Sequence, residues 1–129
     1  MSARGWRTAE TEEATTLSRD GAPAAAPIAV ARDAWAAPAA KDPGRFRAAL
    51  AHQVRQDLWR ALRAVRGFAP VVSVAAGTEG CVEVEAGGRL VAGTEARRQV
   101  EAAAAALLAD PASRRRWTRH ALRRAGGPA

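Results

Sequence analysis

A single stripe of large apolar residues runs through the segment between residues 42 and 66. The stripe consists of Phe46, Leu50, Val54, Leu58, Leu62 and Val65. Spacings of four and three residues place these side chains on one face of a helix. Asp42 and Pro43 favour a helix start, because aspartate caps the first turn and proline fits within it. Gly67 favours the helix end, so the pattern predicts a long helix that runs to about Arg66.

The pattern then changes to that of β-strands. Pro70–Val74 and Cys81–Glu85 flank a turn with glycine at both ends, residues 77–80, and this arrangement predicts a hairpin. Gly87-Gly88 predicts a second turn, and Arg89–Ala92 predicts a short third strand. The three strands together predict a three-stranded antiparallel sheet.

Two helices are predicted after the strands. Thr94 is the expected cap of the first, and Asp110-Pro111 repeats the helix opening seen at residue 42. Gly126-Gly127 ends the second. The predicted fold is therefore an α+β domain over residues 42–129 with the order α-β-β-β-α-α, in which the long helix comes first. Because the last helix has its own cap, we expect its removal to leave the preceding elements folded.

Residues 1–41 differ from the rest in composition. They are rich in Ala, Pro, Thr and Glu, and prolines interrupt any long helix, so we predict a disordered tail. One apolar stretch, Pro27–Trp35, stands out within it. Two interpretations remain open: an incidental apolar cluster, or a docking peptide that adds to a sheet edge or fills a partner's groove.

Charge matters most in the last helix. The chain has 129 residues and a net charge of +7, and 19 of its 20 basic residues are arginine. Residues 110–124 hold six arginines and one aspartate, which gives +5 of that charge. A basic helix around Trp117 suits a polyanion or an acidic partner. Further arginines share the non-core face of the first helix with Trp59, which either packs under the last helix or the tail, or forms part of an exposed interaction surface.

Catalytic chemistry has little support in the sequence. A single cysteine, Cys81, excludes a disulfide within the chain and argues against a cysteine metal site. His52 and His120 are interpreted as surface residues. Glu83 and Glu85 are interpreted as a solvated sheet face, or as an acidic strip that holds the arginine helix. We predict a non-enzymatic protein without cofactor or metal, without a membrane segment, in the reducing cytoplasm.

The first functional hypothesis is nucleic-acid binding, to DNA or RNA, through phosphate contacts from arginine-rich helices. The predicted contacts are Arg114, Arg115, Arg116, Trp117, Arg119, Arg123 and Arg124 from the last helix, and Arg55, Trp59, Arg63 and Arg66 from the first. The alternative is an adaptor or regulator that docks on an acidic protein surface through the tail and the basic helix. Because large apolar residues are few, self-association is a further expectation that stays open.

Overall fold

The computed structural model describes residues 6–10, 14–19, 29–78, 80–90 and 94–129. These residues form five strands and three helices in a mixed α+β arrangement. The strands are β1 (Trp6–Glu10), β2 (Ala14–Arg19), β3 (Ala29–Ala36), β4 (Ala69–Ala76) and β5 (Cys81–Arg89). The helices are α1 (Pro43–Leu62), α2 (Thr94–Ala109) and α3 (Pro111–Arg124). The predicted α+β class, the antiparallel sheet and the three helices are confirmed.

Helix α1 begins where the sequence predicts. The Asp42 carboxylate accepts a hydrogen bond from the backbone N–H of Arg45 at 3.1 Å, which caps the first turn. The apolar stripe is buried, with Leu50, Val54 and Leu58 fully enclosed. The helix ends at Leu62, earlier than predicted, because the chain turns over the next residues and carries Phe68 into the core.

The sheet is antiparallel throughout, with the strand order β1-β2-β4-β5-β3. Strands β4 and β5 form the predicted hairpin, in which the N–H of Gly77 donates to the carbonyl of Cys81 at 3.1 Å. Helices α1 and α2 pack on one face of this sheet, and α3 lies along α1. The core therefore sits between one sheet face and the helices.

The predicted turn at Gly87-Gly88 is wrong, because both glycines lie inside β5. Gly88 serves close packing instead. A Cβ atom built on Gly88 would lie 2.3 Å from the carbonyl oxygen of Ala69 on the neighbouring strand, so only glycine fits there. The predicted third strand, Arg89–Ala92, is not a separate strand: Arg89 ends β5, and Val91 and Ala92 lie outside the described residues.

Strands precede the first helix, so α1 is not the N-terminal element that the sequence pattern predicted. The prediction of a disordered tail over residues 1–41 is wrong for the described residues in β1, β2 and β3. Strand β3 pairs with β5 over its whole length, from Ala29 opposite Gly88 to Ala36 opposite Cys81. Trp35 explains this order physically, because its large apolar side chain is only 8% exposed and joins the core. Residues 37–41 are also described and are held by backbone hydrogen bonds, from Ala37 to Gly80 and from Lys41 to Gly127, whereas the remaining tail residues lie outside the described ranges.

Candidate nucleic-acid interface

Helix α3 carries most of the predicted contacts, and its start is fixed by Asp110. The Asp110 carboxylate accepts hydrogen bonds from the Ser113 hydroxyl at 2.6 Å and from the Ser113 N–H at 3.1 Å. These bonds lower the pKa of Asp110, the hydroxyl bond contributing most. The predicted start of the helix at Asp110-Pro111 is therefore confirmed.

Trp117 lies in the core and not on the surface. Its side chain is fully buried, and its indole N–H donates to the Asp57 carboxylate of α1 at 2.8 Å. Its ring centroid is 6.0 Å from that of Trp35 on β3. A residue in this position has no exposed face for stacking on a base. Trp117 instead joins α3 to α1 and to the edge of the sheet.

Arg114 is also occupied by contacts within the protein. Its guanidinium lies 2.5 Å from the Asp33 carboxylate of β3, and its Nε donates to the carbonyl of Leu108 at 2.5 Å. The same group stands over the Trp35 ring, 5.0 Å from the centroid. Arg114 therefore connects α3, the end of α2 and β3, and its charge is largely matched by Asp33.

Arg116 has a divided role. Its guanidinium lies 2.5 Å from the Asp57 carboxylate, the group that also receives the Trp117 indole N–H. Its side chain is nevertheless 54% exposed. Asp57 additionally approaches Arg60 at 3.4 Å, so one α1 carboxylate balances two arginines at the junction of the helices.

The outer side of α3 keeps the exposed arginines. Arg115, Arg119 and Arg123 recur every fourth residue, and all three are exposed, as is Arg124 at the end of the helix. Four residues rise by roughly 6 Å along a helix, so the three guanidinium groups follow one another as a row. We call Arg115, Arg119 and Arg123 the arginine row.

Of the four residues predicted from the first helix, two lie within α1 and two lie beyond its end. Arg55 is half-buried within α1, whereas Arg63 and Arg66 are exposed beyond the helix end. Trp59 is 39% exposed, so it does not pack beneath the last helix. It is the one large apolar side chain that is exposed among the residues whose side chains the structure describes.

The two helices bring together a different set of basic groups, which sequence reasoning missed. Arg45 and His52 of α1 and His120 and Arg124 of α3 line a shared depression of about 390 Å³, with Ala48 and Ala49 as the remaining lining residues. Both histidines are half-buried, so their interpretation as simple surface residues was incomplete. The available signal was the seven-residue spacing of Arg45 and His52, which places them on one helix face with small alanines between them.

Burial lowers the pKa of His52, and the positive charge of Arg55 lowers it further. His52 is therefore neutral at neutral pH, with one ring nitrogen able to donate a hydrogen bond. Because His52 is neutral, it adds no positive charge to the depression, which already contains two arginines.

The acidic strip of β5 does not hold the arginine helix. Glu85 lies 2.5 Å from Arg32 of the neighbouring strand β3, and Glu83 is exposed. Both point away from the sheet face that buries Val82 and Val84, since side chains alternate along a strand. Helix α3 is instead held by Asp33 and Asp57.

Two features that would indicate other classes of function are absent from the described part of the chain. No group of three or more metal-ligating side chains lies together there. Among its helices, none combines the length and apolar character needed to cross a bilayer. Comparison with protein families, with curated proteins and with solved structures found no match to this chain.

Proposed function

We propose that this protein binds nucleic acid by contacts between the arginine row of α3 and backbone phosphates. The observation that carries the proposal is the regular exposure of Arg115, Arg119 and Arg123 along one side of a rigid helix. Arginine keeps its charge at any working pH, and its planar fork suits phosphate oxygens. A row of such groups on a fixed scaffold matches the repeating charge of a nucleic-acid strand.

The pairing of charges on α3 supports the same assignment. Arg114 and Arg116 form ion pairs within the protein, with Asp33 and Asp57 respectively. In the described part of the chain, by contrast, Arg119 and Arg123 have no carboxylate within ion-pair distance. Their charge is therefore available to an anion from outside, and a polyanion that releases counterions gains the most from it.

Burial of Trp117 makes this binding a contact with phosphates and not with bases. Strong stacking on a base needs an exposed tryptophan, tyrosine or phenylalanine ring, and the single such residue of α3, Trp117, is enclosed. We therefore expect weak dependence on base sequence and strong dependence on salt.

The adaptor hypothesis has less support. It relied on Ile28–Trp35 as a free docking peptide, but Ala29–Trp35 lies within β3 and Trp35 is buried. Ile28 lies outside the described residues. Trp59 remains an exposed apolar group, but a single such residue is ordinary on a protein surface.

The proposal is tested by titrating a fluorescently labelled duplex with the wild-type chain and with the variant Arg119→Ala plus Arg123→Ala, followed by anisotropy. At about 50 mM salt, where the electrostatic contribution is large, the wild-type chain is expected to bind and the variant to bind much more weakly. The matched control is Arg97→Ala plus Arg98→Ala, which removes the same charge from exposed positions of α2.

The two variants have equal net charge, so they separate a located site from a general charge effect. Equal loss of affinity in both would show that only the overall charge matters. Absence of binding by the wild-type chain to both DNA and RNA duplexes would overturn the proposal.

A further inference from the structure

The depression between α1 and α3 has the composition of an anion site. Its lining residues are Arg45, Ala48, Ala49, His52, His120 and Arg124. Four of these six side chains carry or can carry positive charge, and no carboxylate lines the depression in the part of the chain that the structure describes. The other two lining residues are alanines, whose small side chains leave room for an incoming group to reach the basic side chains.

We propose that this depression binds a phosphomonoester dianion, with Arg45 and Arg124 supplying charge and His52 and His120 donating hydrogen bonds. A terminal phosphate carries nearly two negative charges at neutral pH and has three acceptor oxygens, which suits four converging donors. A backbone phosphodiester has one charge and two free oxygens, so it uses this arrangement less fully.

The two ends of the depression come from separate helices, so the cluster is assembled by the fold. Arg45 and His52 lie on α1, whereas His120 and Arg124 lie on α3, which packs along α1. Two arginines that face one depression repel each other. A bound dianion removes this repulsion, so binding also stabilises the contact between the two helices.

The protonation of the histidines is coupled to the anion. The basic groups around His52 come from two helices: Arg45 and Arg55 lie on α1, and His120 and Arg124 lie on α3. Of the nearby carboxylates, Asp42 lies beside Arg45. The carboxylate of Asp57 is already bound by Arg116 and Trp117. Burial and Arg55 lower the pKa of His52 in the free protein. A bound anion favours the protonated imidazole, so binding raises this pKa, and by linkage an anion whose own charge stays constant binds more tightly as the pH falls through the histidine range.

This site does not depend on the proposed nucleic-acid function, because the arginine row is a different set of residues. The variant Arg119→Ala plus Arg123→Ala is expected to bind inorganic phosphate like the wild-type chain. Failure of one proposal is therefore distinguishable from failure of the other.

The experiment is a proton NMR titration of the full chain with inorganic phosphate, observed at the ring protons of its two histidines. We expect saturable shifts of both histidines and a raised pKa of His52. Sodium chloride of equal ionic strength should produce neither effect. Sulfate, which stays doubly charged between pH 6 and 8, is the companion probe, and it should bind more tightly at pH 6 because His52 then gains a proton while sulfate does not.

The test variant is Arg45→Ala plus Arg124→Ala. Both residues are exposed, so the fold should persist, and circular dichroism checks this. We expect phosphate affinity to fall by about a hundredfold, since two charge-assisted hydrogen bonds are lost at roughly tenfold each. The variant Arg124→Lys keeps the charge without the planar fork and should lose less affinity. Arg97→Ala plus Arg98→Ala is the matched control and should bind phosphate like the wild-type chain.

Two further arms identify the source of the phosphate. Tighter binding of a 5′-phosphorylated oligonucleotide than of its 5′-hydroxyl form, with the preference lost in Arg45→Ala plus Arg124→Ala, assigns the site to a strand end. Equal binding of the two oligonucleotides together with binding of glycerol phosphate assigns it to a small phosphate ester. Either result supports the site. Histidine shifts no larger with phosphate than with chloride, or unchanged affinity in the double-arginine variant, would overturn it.

Discussion

At the scale of single residues, helix α3 contains two kinds of arginine that look alike in the sequence. Arg114 is engaged by Asp33 and the Leu108 carbonyl, whereas Arg119 is exposed. The run of three arginines from Arg114 to Arg116 gave no sign of which one faces inward. The difference depends on partners that are distant in the sequence, so composition could predict a basic helix but not the role of each guanidinium.

Asp57 joins α1 to α3 through its carboxylate, so its substitution should lower the stability of the fold. Its carboxylate accepts hydrogen bonds from the buried Trp117 indole at 2.8 Å and from Arg116 at 2.5 Å. The substitution Asp57→Ala leaves the indole N–H without its partner, and we expect a loss of about 1–3 kcal/mol in the free energy of unfolding. Urea denaturation measures this loss.

The matched control is Asp57→Asn, which retains an acceptor for the indole and should lose less stability. Arg119→Ala, at an exposed position of α3, should unfold like the wild-type chain. Equal stability of Asp57→Ala and the wild-type chain would contradict the role assigned to this carboxylate.

At the scale of elements, the sequence predicted what is local and missed what is distant. The caps at Asp42 and Asp110 are confirmed, because each uses a backbone donor only three residues away. The hairpin of β4 and β5 is likewise a short-range pattern. Strand β3 pairs with β5 across about fifty residues, and its alternating positions are mostly alanine and charged residues, which give a weak strand signal.

The expectation that α3 is independent of the other elements also considered only local contacts. Its cap is local, but Trp117 is fully buried against α1 and close to Trp35. We therefore expect removal of α3 to uncover part of the core and to destabilise the other elements, in contrast to the independence that the local cap suggested.

Trp35 gives the prediction that belongs to this scale. Its indole N–H donates to the Thr118 hydroxyl at 3.0 Å, and its ring packs near Trp117. We expect Trp35→Ala to cost about 3–5 kcal/mol of stability, because a large buried ring leaves a cavity. Thermal unfolding followed by circular dichroism measures the effect. Trp35→Phe keeps much of the apolar contact and loses the hydrogen bond, so its melting temperature should lie between those of the wild-type chain and Trp35→Ala. An unchanged melting temperature in Trp35→Ala would contradict the placement of β3 in the core.

At the scale of the whole molecule, the fold separates arginines that pair with carboxylates of the protein from arginines that are exposed to solvent. The carboxylates Asp33 and Asp57 pair with Arg114 and Arg116 of α3, and the arginine row lies on the outside of the helix. The net charge of +7 was evident from the sequence, but its distribution over two separate surfaces was not. The spacing of Arg45 and His52 placed these two residues on one helix face, but their meeting with His120 and Arg124 depends on the packing of α3 against α1, which no spacing predicts.

The salt dependence of duplex binding tests the central claim most directly. The logarithm of the association constant is measured against the logarithm of the salt concentration for the wild-type chain, for Arg119→Ala plus Arg123→Ala, and for the control Arg97→Ala plus Arg98→Ala. If the arginine row contacts phosphates, loss of two contacts should reduce the magnitude of the slope on DNA by about 1.8, or roughly 0.9 for each contact. The control should keep the wild-type slope. A slope that is unchanged in the Arg119 and Arg123 variant, or reduced equally in both, would contradict the account.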